Sequence, residues 1–367
     1  LPQCRNDLEL NGVHISHLEH ADDLLLISTT PEGLQMKMEH FYHWCRENFM
    51  VINALKSHVC LHGPRPRTLP SFAFAGRVIT LETEYTYLGV MFCSDARNLF
   101  DNHYSTKASK TSAAAHSILH VDAMVDSLPP AAGKTLYTAR LEPLLLYGCE
   151  AMPDTDDSLL ERLTAVQTMF IRSLLGVHKR AVLAPLYTET GLIPLKYRRI
   201  ELVLRYLQYA IECPAHTYVR AAIADSLTLA ASGEKSWYMD LQLVISRLHG
   251  SFTLPVPGEV SLQALEQLRS KVDSHMRDEF KQELDDKKKL YLLRERKGPV
   301  LALRPYLGIR NGQHRESLTH LLLSTHTLAV ERLRWVERYR LKVPFAERLC
   351  RFCLTAVETP EHALLEC

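Results

Sequence analysis

His20-Ala21-Asp22-Asp23-Leu24-Leu25-Leu26-Ile27 sets two adjacent acids between a polar approach and an apolar run. Upstream, Leu10-Asn11-Gly12-Val13 carries an Asn-Gly turn signal, so residues 10–28 read as a β-hairpin. An exposed carboxylate pair at a hairpin tip suits Mg²⁺, which takes hard oxygen ligands, keeps several waters and needs only one or two carboxylates. Two such ions about 3.5–4 Å apart can clamp the attacking and leaving oxygens of a phosphoryl transfer. Asp-Asp is also a common turn dipeptide, so the two residues alone leave both readings open.

Moving outward, Thr30-Pro31-Glu32 reads as a helix start, with Thr30 as N-cap and Pro at the first helical position. Leu34, Met38, Phe41 and Cys45 recur at helical spacing, which predicts an amphipathic helix over 31–48. Val51-Ile52, Val59-Cys60-Leu61, Phe72-Ala73-Phe74, Val78-Ile79 and Tyr85 to Phe92 read as strands. After Ser94 the pattern is helical, with helices expected at 97–126, 131–149, 156–176, 195–212, 217–231, 236–249, 261–296 and 315–339. The fold class is therefore α+β. A mixed segment, 1–93, precedes helical regions at 94–232 and 233–343 and a Cys-rich end at 344–367.

The whole chain of 367 residues carries 43 Lys and Arg against 42 Asp and Glu, so total charge points to no partner. Local charge differs. Residues 172–220 hold eight Lys and Arg against three Glu, and 281–315 hold ten against four acids. Such basic helical stretches suit phosphate contacts, and equally suit a solvated helix face. The run Arg332, Arg334, Arg338, Arg340 and Lys342 has the same two readings. Trp237 and Trp335 read as packing anchors, and Gly133-Lys134-Thr135 lacks the upstream Gly of a phosphate loop. No apolar run of about 18 residues occurs, so no membrane span is expected. The start, Leu1-Pro2-Gln3-Cys4, has neither the basic lead nor the apolar core of a signal peptide. Nine cysteines, an odd number with the first six widely spaced, then suggest a reducing, intracellular compartment.

The order of motifs over about 150 residues resembles the reverse transcriptases of non-LTR retrotransposons. His20-Ala21-Asp22-Asp23 is similar to their aromatic-Ala-Asp-Asp hairpin, with His20 where Tyr or Phe is usual. Asn53-Ala54-Leu55-Lys56-Ser57 is similar to an Asn-x-x-Lys-Thr/Ser segment, and Tyr87-Leu88-Gly89 to the primer-grip turn. Thr135-Leu136-Tyr137 through Pro143 to Glu150 is similar to the thumb segment. The resemblance implies a partial palm, an antiparallel sheet with a helix, followed by a helical thumb and C-terminal region. It implies that Asp22 and Asp23 are the catalytic pair and Mg²⁺ ligands, and that Lys56 lies near the incoming triphosphate. Tyr87, Leu88 and Gly89 would grip the primer. RNA template and DNA primer would be the partners, and a nuclear location would give access to the target. The family also uses a third carboxylate on an upstream strand and a fingers region. Neither is matched before Asp22, and Asp7 is not set in a matching strand. The expectation is therefore a C-terminal part of an RNA-directed DNA polymerase, inactive as this chain. The alternative is a non-catalytic nucleic-acid-binding remnant or repurposed element protein. In either case Arg198, Arg199, Arg334 and Arg338 are the expected nucleic-acid contacts.

At the far end, Cys350, Cys353, His362 and Cys367 form a C-x₂-C-x₈-H-x₄-C pattern. Zn²⁺ takes four tetrahedral N and S ligands, and a C-x₂-C turn delivers two thiolates to one ion. Thr359-Pro360-Glu361 begins a short helix expected to set His362 and Cys367 about one and a half turns apart. The cluster also resembles the C-terminal zinc knuckle of several non-LTR retrotransposon proteins.

Overall fold

Two-residue turns shape the N-terminal part of the chain. The computed structural model describes residues 5–64, 66–121, 128–294 and 297–367. β1 (Leu8–Leu10) and β2 (Val13–Ile15) pair across Asn11-Gly12, and β3 (His17–His20) and β4 (Asp23–Leu26) pair across Ala21-Asp22. β5 (Val59–Cys60), β6 (Phe72–Phe74), β7 (Arg77–Ile79), β8 (Leu81–Glu82), β9 (Glu84–Tyr87) and β10 (Val90–Cys93) follow. Both central residues are left-handed at Asn11-Gly12, at Ala75-Gly76 between β6 and β7, and at Leu88-Gly89 between β9 and β10. That is the type I′ pattern, whose twist matches the strands it joins. At Ala21-Asp22 only Ala21 is left-handed, with φ 53° and no glycine to relieve it.

Among the described residues the strands make five two-stranded pairs, four antiparallel and β5–β8 parallel. The expected antiparallel sheet is thus a set of short ribbons, because no strand exceeds four residues. Residues 10–28 hold parts of two successive hairpins where one was expected. Val51-Ile52, expected as a strand piece, is irregular. There the Asn53 side chain accepts from Leu55 N at 3.2 Å and opens a 3₁₀ turn at Ala54–Lys56.

Helix α1 (Pro31–Glu47) begins as its sequence predicts, with Gly33 N donating to Thr30 Oγ1 at 3.1 Å. Its Met38 packs with Val59, Phe72, Phe74 and Ile79, and Leu34 and Phe41 join from the same face. Burying each large apolar side chain contributes roughly 1.5–3 kcal/mol, enough to order short ribbons against one helix. Lys37 lies on that face too. It is 1% exposed, forms an ion pair with the buried Asp7 and donates to the Ile27 carbonyl.

Downstream the chain is helical: α2 (Asp101–His120), α3 (Pro130–Leu136), α4 (Glu142–Leu146), α5 (Asp157–Leu174), α6 (Leu183–Thr190), α7 (Leu195–Glu212), α8 (Tyr218–Ala231), α9 (Trp237–Ser246), α10 (Leu262–Asp286), α11 (Tyr291–Arg294), α12 (Gly312–Leu322) and α13 (Ala329–Arg332). The protein is mostly helical α+β with small N-terminal sheets. Among the described residues no helix is long and apolar enough to cross a membrane. The expected helix 131–149 is α3, a wide π turn at Tyr137–Leu141, and α4. Pro143 has no N–H for the Ala139 carbonyl, and the winding loosens just ahead of it. Of the expected helix 315–339, α12 ends at Leu322 ahead of left-handed Ser324, φ 53°, where Thr325 N donates to His320 O at 2.9 Å, α13 covers only Ala329–Arg332, and 333–339 is not helical. The expected 261–296 helix ends at Asp286, before a 3₁₀ turn at Lys288–Leu290. The ends expected at 122–126 and 295–296 lie outside the described residues.

The chain forms two compact units. The first comprises Leu1–Lys107, Tyr147–Leu160 and Arg199–Ser270. Inside it Arg199 is 2% exposed and grips the Asp154 carboxylate through Nε to Oδ2 and Nη2 to Oδ1, both at 2.8 Å. Tyr104 Oη donates to Asp154 Oδ1 at 2.6 Å and accepts from Arg199 Nη2 at 3.0 Å. The second unit comprises Ala108–Leu146, Glu161–Arg198 and Lys271–Cys367. Its buried Gln167 donates to Tyr137 Oη at 2.8 Å and to Ile193 O at 2.9 Å. The same amide accepts from Tyr187 Oη at 3.3 Å and from Leu195 N at 2.9 Å. Lys134 caps the end of α6 by donating to Thr190 O and Gly191 O at 2.9 and 3.0 Å, a structural role for the Gly-Lys-Thr run.

Arg199→Ala removes one partner from a buried ion pair and should lower stability by about 3–5 kcal/mol. Arg198→Ala removes a half-buried side chain 3.8 Å from Glu142 and should cost under about 1 kcal/mol. Urea unfolding of the two variants makes the comparison. Equal losses would mean that the Arg199 network does not hold its unit together.

Candidate functional site

The C-terminal cluster is assembled by backbone turns before any ligand is considered. Leu349 and Val357 form a β-bridge, Cys350 N donates to Ala356 O at 2.8 Å, and Leu354 turns left-handed at φ 55°. This closes the Cys350–Cys353 knuckle. Thr355 Oγ1 donates to Cys353 Sγ at 3.3 Å. Glu358, fully buried, accepts from Arg351 Nε at 2.6 Å and from Ala329 N at the start of α13. Thr359 Oγ1 then accepts from His362 N at 3.2 Å, and residues 362–366 wind as a π turn closed by Cys367 N to His362 O at 2.8 Å. The ordinary helix expected here would leave residues 362 and 367 about 140° apart around the axis. The wider i→i+5 turn brings them onto one side.

The result is four donor atoms within 4.8 Å of one another, from Cys350, Cys353, His362 and Cys367. Cys350 Sγ and Cys367 Sγ are 3.8 Å apart, which is the edge of a tetrahedron with Zn–S arms of about 2.3 Å. Cys353 Sγ is 3.2 Å from His362 Nε2, while Nδ1 faces Glu366 Oε2 at 3.2 Å. A carboxylate behind a ligating imidazole is the usual means of fixing its orientation. The donor set therefore fits one Zn²⁺, and among the described residues no other group of three or more His, Cys, Asp or Glu converges in this way. Hydrogen bonds from Thr355 hold the Cys353 thiol down at about 5, and backbone N–H groups lower Cys350. The bond with Cys353 lifts His362 to about 9, and the Cys350 sulfur raises Cys367.

The acidic hairpin lies in the first unit. Asp22 occupies its turn and Asp23 opens β4 opposite His20, and both acids are exposed. Lys56 is exposed at the end of its 3₁₀ turn, and Ile52 and Ala54 nearby pack on the cluster that also takes Leu26 of β4. Tyr87 ends β9, and its phenol is raised first by burial and then by the Asp23 carboxylate. The Leu88-Gly89 turn is fastened from behind: Tyr147 Oη donates to Leu88 O, and a Cβ on Gly89 would stand 3.0 Å from that hydroxyl. Lys107 Nζ lies 3.9 Å from the Tyr147 ring centre, and His103 joins Tyr147 O to Met91 N.

The four arginines expected on phosphates separate. Arg199 is the buried partner of Asp154 and is not available to a phosphate. Its cause is the carboxylate it grips, so this expectation is corrected. Arg198 is half-buried near Glu142. Arg334 pairs with Glu331 at 3.1 Å, and Arg338 is exposed with its guanidinium 5.2 Å from the Tyr339 ring centre. Sequence reasoning assigns no role to Thr355, Glu358 or Glu366, and places Tyr147 only within the thumb-like segment. Only Glu366, four residues from His362, had a local signal. No protein-family model matches the chain, and a search of curated proteins finds no significant relative.

Elemental analysis of the purified chain should give about one zinc, lost in Cys353→Ser and weakened about 10- to 100-fold in Glu366→Gln. Without metal at pH 7, His362 and Cys367 hold protons that zinc must displace. Uptake should release at least the protons of His362 and Cys367 at pH 7, and affinity should fall as pH falls. Calorimetry in buffers of different ionisation enthalpy counts them. Full zinc retention by Cys353→Ser would refute the ligand set.

Proposed function

We propose that the chain is the acidic-hairpin, primer-grip and thumb part of an RNA-directed DNA polymerase of the non-LTR retrotransposon type, with a zinc-binding C-terminal knuckle. The observation that carries this reading is the neighbourhood of Asp23 and Tyr87. Asp23, at the head of β4, lies near enough to Tyr87, at the end of β9, for its carboxylate to raise the phenol after burial does. Asp22 and Asp23 present two carboxylates at an exposed tip, the donor type that Mg²⁺ requires. Bound there, Mg²⁺ would supply charge that offsets the negative charge developing in nucleotidyl transfer. The Leu88-Gly89 turn, held by Tyr147, offers a rigid edge for a primer strand. Positioning of this kind accounts for most of phosphoryl-transfer catalysis.

A second reading is favoured by a different observation. Among the described residues no third His, Cys, Asp or Glu ligand converges on Asp22 and Asp23, whereas the zinc cluster is complete. A nucleic-acid-binding protein without polymerase activity fits both facts.

Primer extension separates the two readings. With Mg²⁺, the chain alone should bind a DNA primer on an RNA template without extending it. Fusion to a reverse-transcriptase segment carrying the upstream carboxylate strand and fingers should restore synthesis, and Asp22→Asn should abolish it. Synthesis undiminished by Asp22→Asn would reduce the acidic pair to a turn, and a fusion that never extends would leave the second reading.

A further inference from the structure

The segment after α13 is a short arm tied at its base and aromatic at its tip. Val343 N donates to Leu333 O at 3.1 Å, and Arg340 donates to Arg332 O at 2.7 Å. Glu337 and Arg340 bridge, which leaves Arg338 and Tyr339 as the two turn residues. Tyr339 is 87% exposed. Nearer the base, the Trp335 ring has two guanidiniums beside it, Arg180 at 5.4 Å and Arg334 at 5.6 Å from its centre. Trp335, read from sequence as a packing anchor, is 38% exposed and so presents part of its ring to solvent.

Cations from three stretches of the second unit meet at this place. Glu331, buried, lies between Arg334 at 3.1 Å and Lys289 at 3.9 Å. One carboxylate faces Lys289 and Arg334, and Arg334 shares the Trp335 ring with Arg180. His178 also lies near Lys289 and Arg180, whose charges lower it after burial does. Within 333–343 there are Arg334, Arg338, Arg340 and Lys342 against Glu337 alone.

We propose that this arm, with the Arg180 loop beside it, is a binding surface for single-stranded nucleic acid. The cations take the phosphates, and the flat faces of Tyr339 and Trp335 take unstacked bases. Both parts of the ligand are needed to explain both parts of the surface. A duplex offers phosphates while keeping its bases stacked on each other, and so leaves the aromatic faces idle. Stacking on aromatic side chains tolerates any base, and stacked guanidiniums add cation–π attraction. The proposal rests on the chain being a nucleic-acid-binding protein, and it is independent of the acidic hairpin.

The test uses the zinc-loaded full chain and fluorescence anisotropy with labelled oligo(dT) and a duplex of equal length, across a salt series. Oligo(dT) should bind more tightly than the duplex. Tyr339→Ala, which removes a side chain from the surface and not from the core, should weaken oligo(dT) by about 5- to 100-fold and leave the duplex unchanged. Arg180→Gln should lower the steepness of the log–log salt dependence by about 0.7 on the single strand. If wild type binds oligo(dT) and Tyr339→Ala and Arg180→Gln bind it equally well, this surface is wrong while the broader reading stands. Absence of binding to either nucleic acid at low salt overturns both. Competition by polyglutamate as effective as by unlabelled oligo(dT) would assign the arm to an acidic protein partner.

Discussion

The first unit is made from three separate stretches of chain, and the Arg199–Asp154–Tyr104 network takes one group from each. A guanidinium and a carboxylate withdrawn from water are costly apart and tolerable only together, with their remaining hydrogen-bonding capacity met. The bidentate grip and the Tyr104 hydroxyl meet it. The arrangement fixes the approach of α2, the Pro153 turn and α7 within one unit. The same stretch of α2 carries His103 and Lys107, which brace Tyr147 behind the Leu88-Gly89 turn. The residues that brace the Leu88-Gly89 turn thus lie on the same helix as Tyr104 of the buried charge network.

The second unit uses a neutral group for a comparable purpose. The Gln167 amide joins the π turn of 137–141 to α6 and to the start of α7. Farther along, Arg304 Nε lies 3.4 Å from the buried Glu189, which ties the segment after residue 297 to α6. Near the C-terminus Glu358 has the same role, holding α13 and the Cys350 knuckle together. Each anchor is a buried polar group, where misalignment is penalised more heavily than it is at the surface.

Features set by neighbours in the chain were legible in the sequence. Thr30-Pro31 starts α1, Asn11-Gly12 turns a hairpin, and C-x₂-C-x₈-H-x₄-C brings four donors together. Features set by remote partners were not. Arg198 and Arg199 are the same residue type side by side, and only Asp154 and Tyr104 decide which of them is buried. A clue did exist: Arg199 continues the row Leu195, Val203 and Leu207, all buried on α7. Lys37 likewise sits among Leu34, Met38 and Phe41. A charge on an apolar helical face signals a buried counter-charge elsewhere. Helix α6 was missed because it is buried nearly all round, which removes the amphipathic rhythm by which a helix is recognised. The break in 315–339 was missed because Ser324-Thr325 terminates a helix by backbone geometry alone, with no glycine or proline to mark it. The π turn at His362 follows no repeat that a 3.6-residue pattern would reveal.

Gln167 uses every hydrogen-bonding direction of its amide, with two donated and two accepted bonds. From either glutamine codon, a single nucleotide change leads to Glu, Lys, Leu, Pro, Arg, His or a stop. None of these presents two donors and two acceptors on one planar group. The position is therefore an island in the genetic code: every one-step neighbour leaves buried groups of Tyr137, Tyr187, Ile193 or Leu195 without their partner. Drift can reach other amides here only through a damaged intermediate. The two partners that meet it through side chains, Tyr137 and Tyr187, are bound by the same constraint.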